Sequence, residues 1–112
     1  MNSTTAALNV LFERIPRRHS VENVREINIV LAEYEHHLRN IEAASEWYEN
    51  NTSVFFEEID AVRSLLKKST DMKASKKNKE SFFDGASGAL KDTMKGLIAV
   101  YAEGKNALPK NQ

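Results

Sequence analysis

The chain of 112 residues contains no cysteine, only four glycines and only two prolines. The lack of cysteine excludes disulfides, zinc–thiolate sites and thiol nucleophiles, and it fits a reducing compartment. No apolar run approaches the roughly 20 residues that a membrane-spanning helix needs. No basic segment precedes the first apolar run, as it would in a secretory signal. We therefore predict a cytoplasmic protein, with export by a non-classical route as the alternative.

Motifs for catalysis and for metal or cofactor binding are also missing from the sequence. There is no phosphate-binding glycine loop, and none of the three histidines is paired with a nucleophile and an orienting acid. Glu33 and His36 have the Glu-x-x-His spacing of di-iron bundles, but such sites need a second copy and two further glutamates. We predict that the chain is not an enzyme and that it binds no metal or cofactor.

Apolar residues recur at spacings of three and four and never alternate as in a strand, which predicts an all-α fold. We expect residues 1–112 to form a single domain. The first helix is predicted from about Thr4 to Ile15, where Pro16 ends it because proline lacks an amide donor. Ser20 is a suitable N-cap for the second helix.

The end of the chain is predicted to contain one further helix between two irregular segments. Residues 69–80 lack apolar periodicity and are expected to form a flexible, lysine-rich connector. Ser81 and Asp84 have the spacing of a capping box and would begin the last helix. Gly104 is typical of a helix stop, and residues 105–112 are expected to be a frayed tail.

The most regular feature is a heptad seam, in which apolar residues are separated by alternating steps of three and four. Such a seam is typical of coiled-coil packing. Only two of its positions, Ser45 and Thr52, are polar. The thirteen seam residues are Val24, Ile27, Leu31, Tyr34, Leu38, Ile41, Ser45, Tyr48, Thr52, Phe55, Ile59, Val62 and Leu66.

The seam allows two architectures, which differ at residues 50–53. One continuous helix over residues 21–69 would be about 73 Å long and would form an elongated dimer. In the other, the four polar residues at 50–53 break the helix, because together they cost about 2 kcal/mol inside one. Against a break, Glu46 and Glu49 would lie unfavourably near a helix C-terminus. We favour the break, which gives a small antiparallel bundle of three long helices and a short N-terminal helix.

The formal net charge is zero, but the charges are segregated along the chain. Between Glu33 and Asp60 there are eight acids and one base. A smaller basic group near the N-terminus contains Arg14, Arg17, Arg18 and Arg25. A larger basic group consists of Arg63, Lys67, Lys68, Lys73, Lys76, Lys77 and Lys79. We interpret it either as a basic patch that binds phosphate groups or as an ordinary solvated surface.

Four of the nine aromatic residues lie between positions 47 and 56. Tyr48 and Phe55 belong to the seam and are predicted to be core residues. Trp47 and Phe56 fall beside it, either in a buried corner cluster or partly exposed. Exposed aromatic residues often anchor a partner protein, so Trp47 and Phe56 are the candidate partner-binding residues.

These observations favour a non-catalytic protein–protein interaction module, such as an adaptor, a chaperone or a small regulator. Its partner would be another protein, a second copy bound along the seam, or both. A nucleic-acid-associated regulator that uses the lysine cluster is the alternative. A third interpretation is a membrane-active or exported protein, because residues 81–103 resemble a helix that lies in a bilayer interface. Contact with nucleic acid or membrane is not favoured.

Overall fold

The computed structural model describes residues 3–107 and shows five helices there, with no strand. Helix α1 spans Ser3–Arg14, α2 spans Val21–Ala44, α3 spans Glu46–Asn51, α4 spans Ser53–Ser69 and α5 spans Lys76–Ala107. The all-α prediction is confirmed.

The connection between α1 and α2 contains the two features predicted from the sequence, a proline after α1 and an N-cap serine before α2. Pro16 lies just after α1, and the Ser20 side chain accepts a hydrogen bond from the Asn23 amide at 3.0 Å, which confirms Ser20 as the N-cap. The Ser87 hydroxyl in α5 donates to the Pro16 carbonyl at 2.8 Å. This bond fastens the connection to the last helix.

Helix α2 ends at Ala44, and the break at Ser45 lies outside the stretch of residues 50–53 where a break is predicted from the sequence. Ser45 adopts an extended backbone with φ −164° and ψ 162°, and its hydroxyl accepts a hydrogen bond from the Tyr48 amide at 3.1 Å. Ser45 is therefore the N-cap of α3. Glu46 and Glu49 lie in the first turn of α3, where the helix dipole favours negative charge. The expectation that a broken helix would leave these two acids near a helix C-terminus is therefore wrong.

Thr52 forms the second break, within the predicted stretch of residues 50–53. Its backbone has φ −121° and ψ −3°, and α4 begins at the next residue. Although the Thr52 side chain is buried, its hydroxyl donates to the Tyr48 carbonyl at 2.7 Å, so this hydroxyl has a hydrogen-bond partner. The continuous helix over residues 21–69 is therefore wrong.

The chain changes direction through α3, so that α2 and α4 contact each other. The Arg63 guanidinium of α4 forms an ion pair with Glu35 of α2, and Arg39 of α2 lies 5.6 Å from the Phe56 ring centroid of α4. The molecule measures 55 × 24 × 16 Å. Its longest dimension is well short of the roughly 73 Å of an unbroken helix.

Helix α5 begins earlier and continues further than predicted. Ser75 caps it by accepting a hydrogen bond from the Asn78 amide at 3.1 Å, so the irregular connector is residues 70–75 and the predicted start at Ser81 is wrong. Gly104 lies inside the helix and does not end it. Of the predicted tail, residues 105–107 are helical, and residues 108–112 lie outside the described part of the chain.

The core combines the seam with one face of α5 and with α1. Eleven of the thirteen seam residues are buried, the exceptions being the half-buried Val24 and Ser45. The seam is therefore covered within a single chain. The other buried apolar residues are Leu8, Leu11, Ile15, Val30, Phe83, Ala86, Leu90, Met94, Leu97 and Tyr101.

A polar network connects α2, α4 and α5 through the buried Tyr34 and Thr93 and the exposed Glu58. The Tyr34 hydroxyl donates to the Thr93 carbonyl at 3.1 Å, and the Thr93 hydroxyl donates to the Glu58 carboxylate at 2.8 Å. Burial raises the pKa of Tyr34. The network fixes the relative positions of the three helices.

Candidate interaction surfaces

A groove of about 530 Å³ lies on the surface between α1 and α2. Its apolar lining comes mainly from small or buried side chains, including Ala7, Leu11 and Ala32, which leave space between the two helices. Val10, also in the lining, is 58% exposed. The remaining lining residues are Arg14, Glu33, His36 and His37.

The helical repeat explains why these residues share the groove. Ala7, Val10, Leu11 and Arg14 follow one another at spacings of three, one and three, which places them on one face of α1. On α2, Ala32 and Glu33 precede His36 and His37 by four residues, which places these four side chains on one face of that helix. Of these residues, Leu11 also belongs to the core.

One end of the groove is held by an ion-pair cluster. The Arg14 guanidinium donates to Glu33 at 2.7 Å and to Glu26 at 2.9 Å. The hydrogen bond to Glu26 is the main reason that the pKa of Arg14 is raised. All three side chains are more than a third exposed, so the cluster adds little to stability. Its role is to connect α1 to α2 beside the groove.

The predicted anchors Trp47 and Phe56 are both half-buried and pack against the core. The Trp47 ring meets the Tyr48 ring edge-on, with centroids 5.4 Å apart, and the Phe56 ring lies under the Arg39 guanidinium. Each side chain therefore supports the fold and keeps part of its surface exposed. Their role in partner binding stays a prediction.

Tyr48 and Phe55 are buried as predicted, and Tyr48 forms a close contact with α5. Its ring stacks on Tyr101 with centroids 5.6 Å apart, and its hydroxyl donates to the Tyr101 carbonyl at 2.8 Å. Burial raises the pKa of Tyr48. Gly104 provides the space for this ring, since a side chain there would overlap it.

The seven residues of the predicted basic patch do not form one uniform group. Arg63 pairs with Glu35 and with Asp60, and the Arg63 hydrogen bond is the main cause of the lowered pKa of Glu35. Arg39 also binds Glu35, at 2.8 Å. None of the six lysines forms an ion pair with any side chain among residues 3–107. The Lys68 ammonium lies 5.8 Å from the Phe82 ring centroid.

The six lysines lie where α4 ends, in the connector and where α5 begins. The His19 ring joins the α1–α2 connection to this region: its Nε2 is 3.1 Å from the Ser69 carbonyl oxygen, and it packs against Phe83. Arg17 and Arg18 are therefore brought to the same end as the lysines. We call residues 17–22 and 67–80 together the basic end.

Among residues 3–107, no group of three or more His, Asp or Glu side chains is placed to hold a metal ion. In the same part of the chain, no helix has the length and apolar character needed to cross a bilayer. The molecule is an all-α helical bundle. Comparisons with known protein families, with characterised proteins and with solved structures find no match.

Proposed function

We propose that this chain is a non-catalytic interaction module and that its α1–α2 groove receives the apolar face of a helix. The observation that carries the proposal is the groove itself, about 530 Å³ in volume, with the buried Leu11 beneath it and Val10 exposed beside it. Helical ligands bind such grooves through a row of side chains three or four residues apart.

A second copy of the chain is the partner that we propose. Val10 and Ile29 are 58% and 44% exposed, and Ile29 shares one face of α2 with Ala32 and His36 because their spacings are three and four. The same face thus presents protruding side chains next to a groove. In a twofold dimer each copy contributes the same patch, so the protruding valine of one copy would enter the groove of the other.

The finer packing of the bundle belongs to the same proposal. We propose antiparallel, coiled-coil-like packing of the helices around the seam. Along α4 and α5 the contacts run in opposite order, since Glu58 meets Thr93 and Lys68 meets Phe82. This order supports an antiparallel pair, and the burial of the seam supports its role as the core.

Sedimentation of the pure protein over a concentration series tests the proposed dimer. We expect the wild type to form a dimer at high concentration and Val10→Glu to stay monomeric, because dimerisation would bury the new charge. Val54→Glu is the matched control, since Val54 is 49% exposed and lies on α4 outside the groove. Circular dichroism would check that both variants melt like the wild type.

Two outcomes would contradict the proposal. One is a wild type that remains monomeric at its highest soluble concentration. The other is a dimer that Val10→Glu and Val54→Glu leave equally intact. If such a dimer were lost in Trp47→Ala and Phe56→Ala without a change in melting temperature, the predicted anchors would form the interface instead of the groove.

A further inference from the structure

The basic end carries the two most exposed large apolar side chains among residues 3–107. Met72 is 93% exposed and Val21 is 78% exposed. Met72 lies within the connector, and Val21 is the first residue of α2. Single exposed apolar residues are ordinary on protein surfaces. These two, however, lie at the same end of the molecule as the six lysines.

The charge of this end is strongly positive. Residues 17–22 and 67–80 contain eight lysines and arginines and three acids, a net charge of +5. Residues 42–60 lie toward the other end of the molecule and are acidic. They contain six acids and neither lysine nor arginine. Phe82, below Lys68, and Gly104, below Tyr48, are separated by about 33 Å along α5. The molecule therefore has an electric dipole along its long axis.

We propose that the basic end docks on a bilayer that contains anionic lipids. The lysines would lie at the lipid phosphates, and Met72 and Val21 would enter the headgroup region. Clusters of lysine beside exposed apolar residues suit this interface, which is negatively charged outside and apolar beneath. The dipole would turn the basic end toward the bilayer and keep the acidic residues away from it.

The same lysines could also attract nucleic acid, but the apolar residues favour the bilayer. Met72 and Val21 gain nothing from a phosphate backbone. The aromatic rings that could stack on bases are covered, since Phe82 is half-buried beside Lys68 and Phe83 is buried. This docking surface does not include the α1–α2 groove, so it can fail or hold independently of the proposed dimer.

Vesicle sedimentation with the full chain tests this proposal. We expect binding to vesicles of equal parts phosphatidylcholine and phosphatidylserine, release by high salt, and no binding to phosphatidylcholine alone. Lys73→Glu with Lys77→Glu should weaken binding roughly tenfold or more. Met72→Ser should weaken it several-fold without changing the salt dependence. Because these side chains are exposed, the fold should be unaffected, which circular dichroism would verify.

The matched control is Lys91→Glu with Lys105→Glu, which changes the net charge equally at positions of α5 outside the basic end. This control should bind the anionic vesicles much more tightly than the Lys73 and Lys77 pair. Equal loss in both pairs would refute docking by the basic end, as would equal binding to the two kinds of vesicle. Tight binding to a random DNA duplex, with Met72→Ser having no effect on vesicle binding, would assign the lysines to nucleic acid instead.

Discussion

Replacing Gly104 by alanine should destabilise the bundle, because the Tyr48 ring occupies the space that the new methyl group needs. A Cβ atom at Gly104 would lie 2.2 Å from Cε1, 2.4 Å from Cζ and 2.6 Å from the hydroxyl oxygen of Tyr48. The ring has little freedom to move away, since it is stacked on Tyr101 and bonded to the Tyr101 carbonyl.

The size of the effect follows from three contributions, of which two destabilise the fold and one stabilises it. Overpacking a core typically costs about 1–3 kcal/mol, and loss of the Tyr48 hydrogen bond would add ~1 kcal/mol. Alanine returns ~1 kcal/mol because glycine is a poor helix former. We therefore expect Gly104→Ala to lower the free energy of unfolding by about 1–3 kcal/mol. For a domain of this size, each kcal/mol lowers the melting temperature by roughly 4 °C.

Gly88→Ala is the matched control on the same helix. A Cβ atom there would meet nothing within 4 Å, so only the helix-propensity gain of up to ~1 kcal/mol should remain. Urea unfolding followed by circular dichroism would measure both variants.

A double-mutant cycle attributes the effect to one contact. In a Tyr48→Leu background the clash is gone, and Gly104→Ala should become neutral or stabilising. If Gly104→Ala proved as stable as Gly88→Ala in the wild-type background, the close packing of α5 against the Tyr48 ring would be refuted.

Two further predictions concern polar contacts. Tyr34→Phe removes the donor to the Thr93 carbonyl and should cost ~1 kcal/mol of unfolding free energy; a melting temperature equal to that of the wild type would show that the bond adds no net stability. The pKa of Glu35 is lowered in the folded state by Arg63, so its contribution to stability is present above the unfolded pKa and is lost as the pH falls through the folded value. Acidification below the ordinary glutamate pKa of 4.5 should reduce the urea midpoint less in Glu35→Gln than in the wild type, and equal losses would contradict this assignment.

The seam was predictable because burial selects apolar side chains at each turn of a helix, and this requirement is visible in the spacing. The breaks were harder to predict. Ser45 and Thr52 both occupy seam positions, so the apolar phase passes through them unchanged. The break at Thr52 could still be expected, because residues 50–53 are poor helix formers. The break at Ser45 shows in its extended backbone and in the hydrogen bond that its hydroxyl accepts from the Tyr48 amide. The serine before Glu46 is the sequence signal for this N-cap.

The ends of α5 show how a local pattern misleads. Residues 76–80 contain no apolar side chain, so they resemble a loop, yet lysine and glutamate are good helix formers and Ser75 supplies a cap. Gly104 resembles a stop but is required by a ring more than fifty positions earlier in the chain. A local cap decided the first case, and a contact between distant residues decided the second.

The candidate surfaces were visible in part. The lysines and the two anchors could be named from charge and heptad position. The groove could not, because alanines at positions 7 and 32 carry no signal until α1 and α2 are placed side by side. In the sequence, Arg17 and Arg18 belong to a separate basic group. Only the contact between His19 and Ser69 brings them to the lysines.

The separation of charge along the long axis of the molecule also affects how the protein behaves in concentrated solution. The formal net charge is zero, so no overall repulsion keeps molecules apart near neutral pH, while the basic end of one molecule attracts the acidic residues of the next. This attraction is screened over ~8 Å at physiological ionic strength. Solubility near the sequence pI of about 6.8 should therefore rise when salt is added, and purification at low ionic strength would favour head-to-tail association.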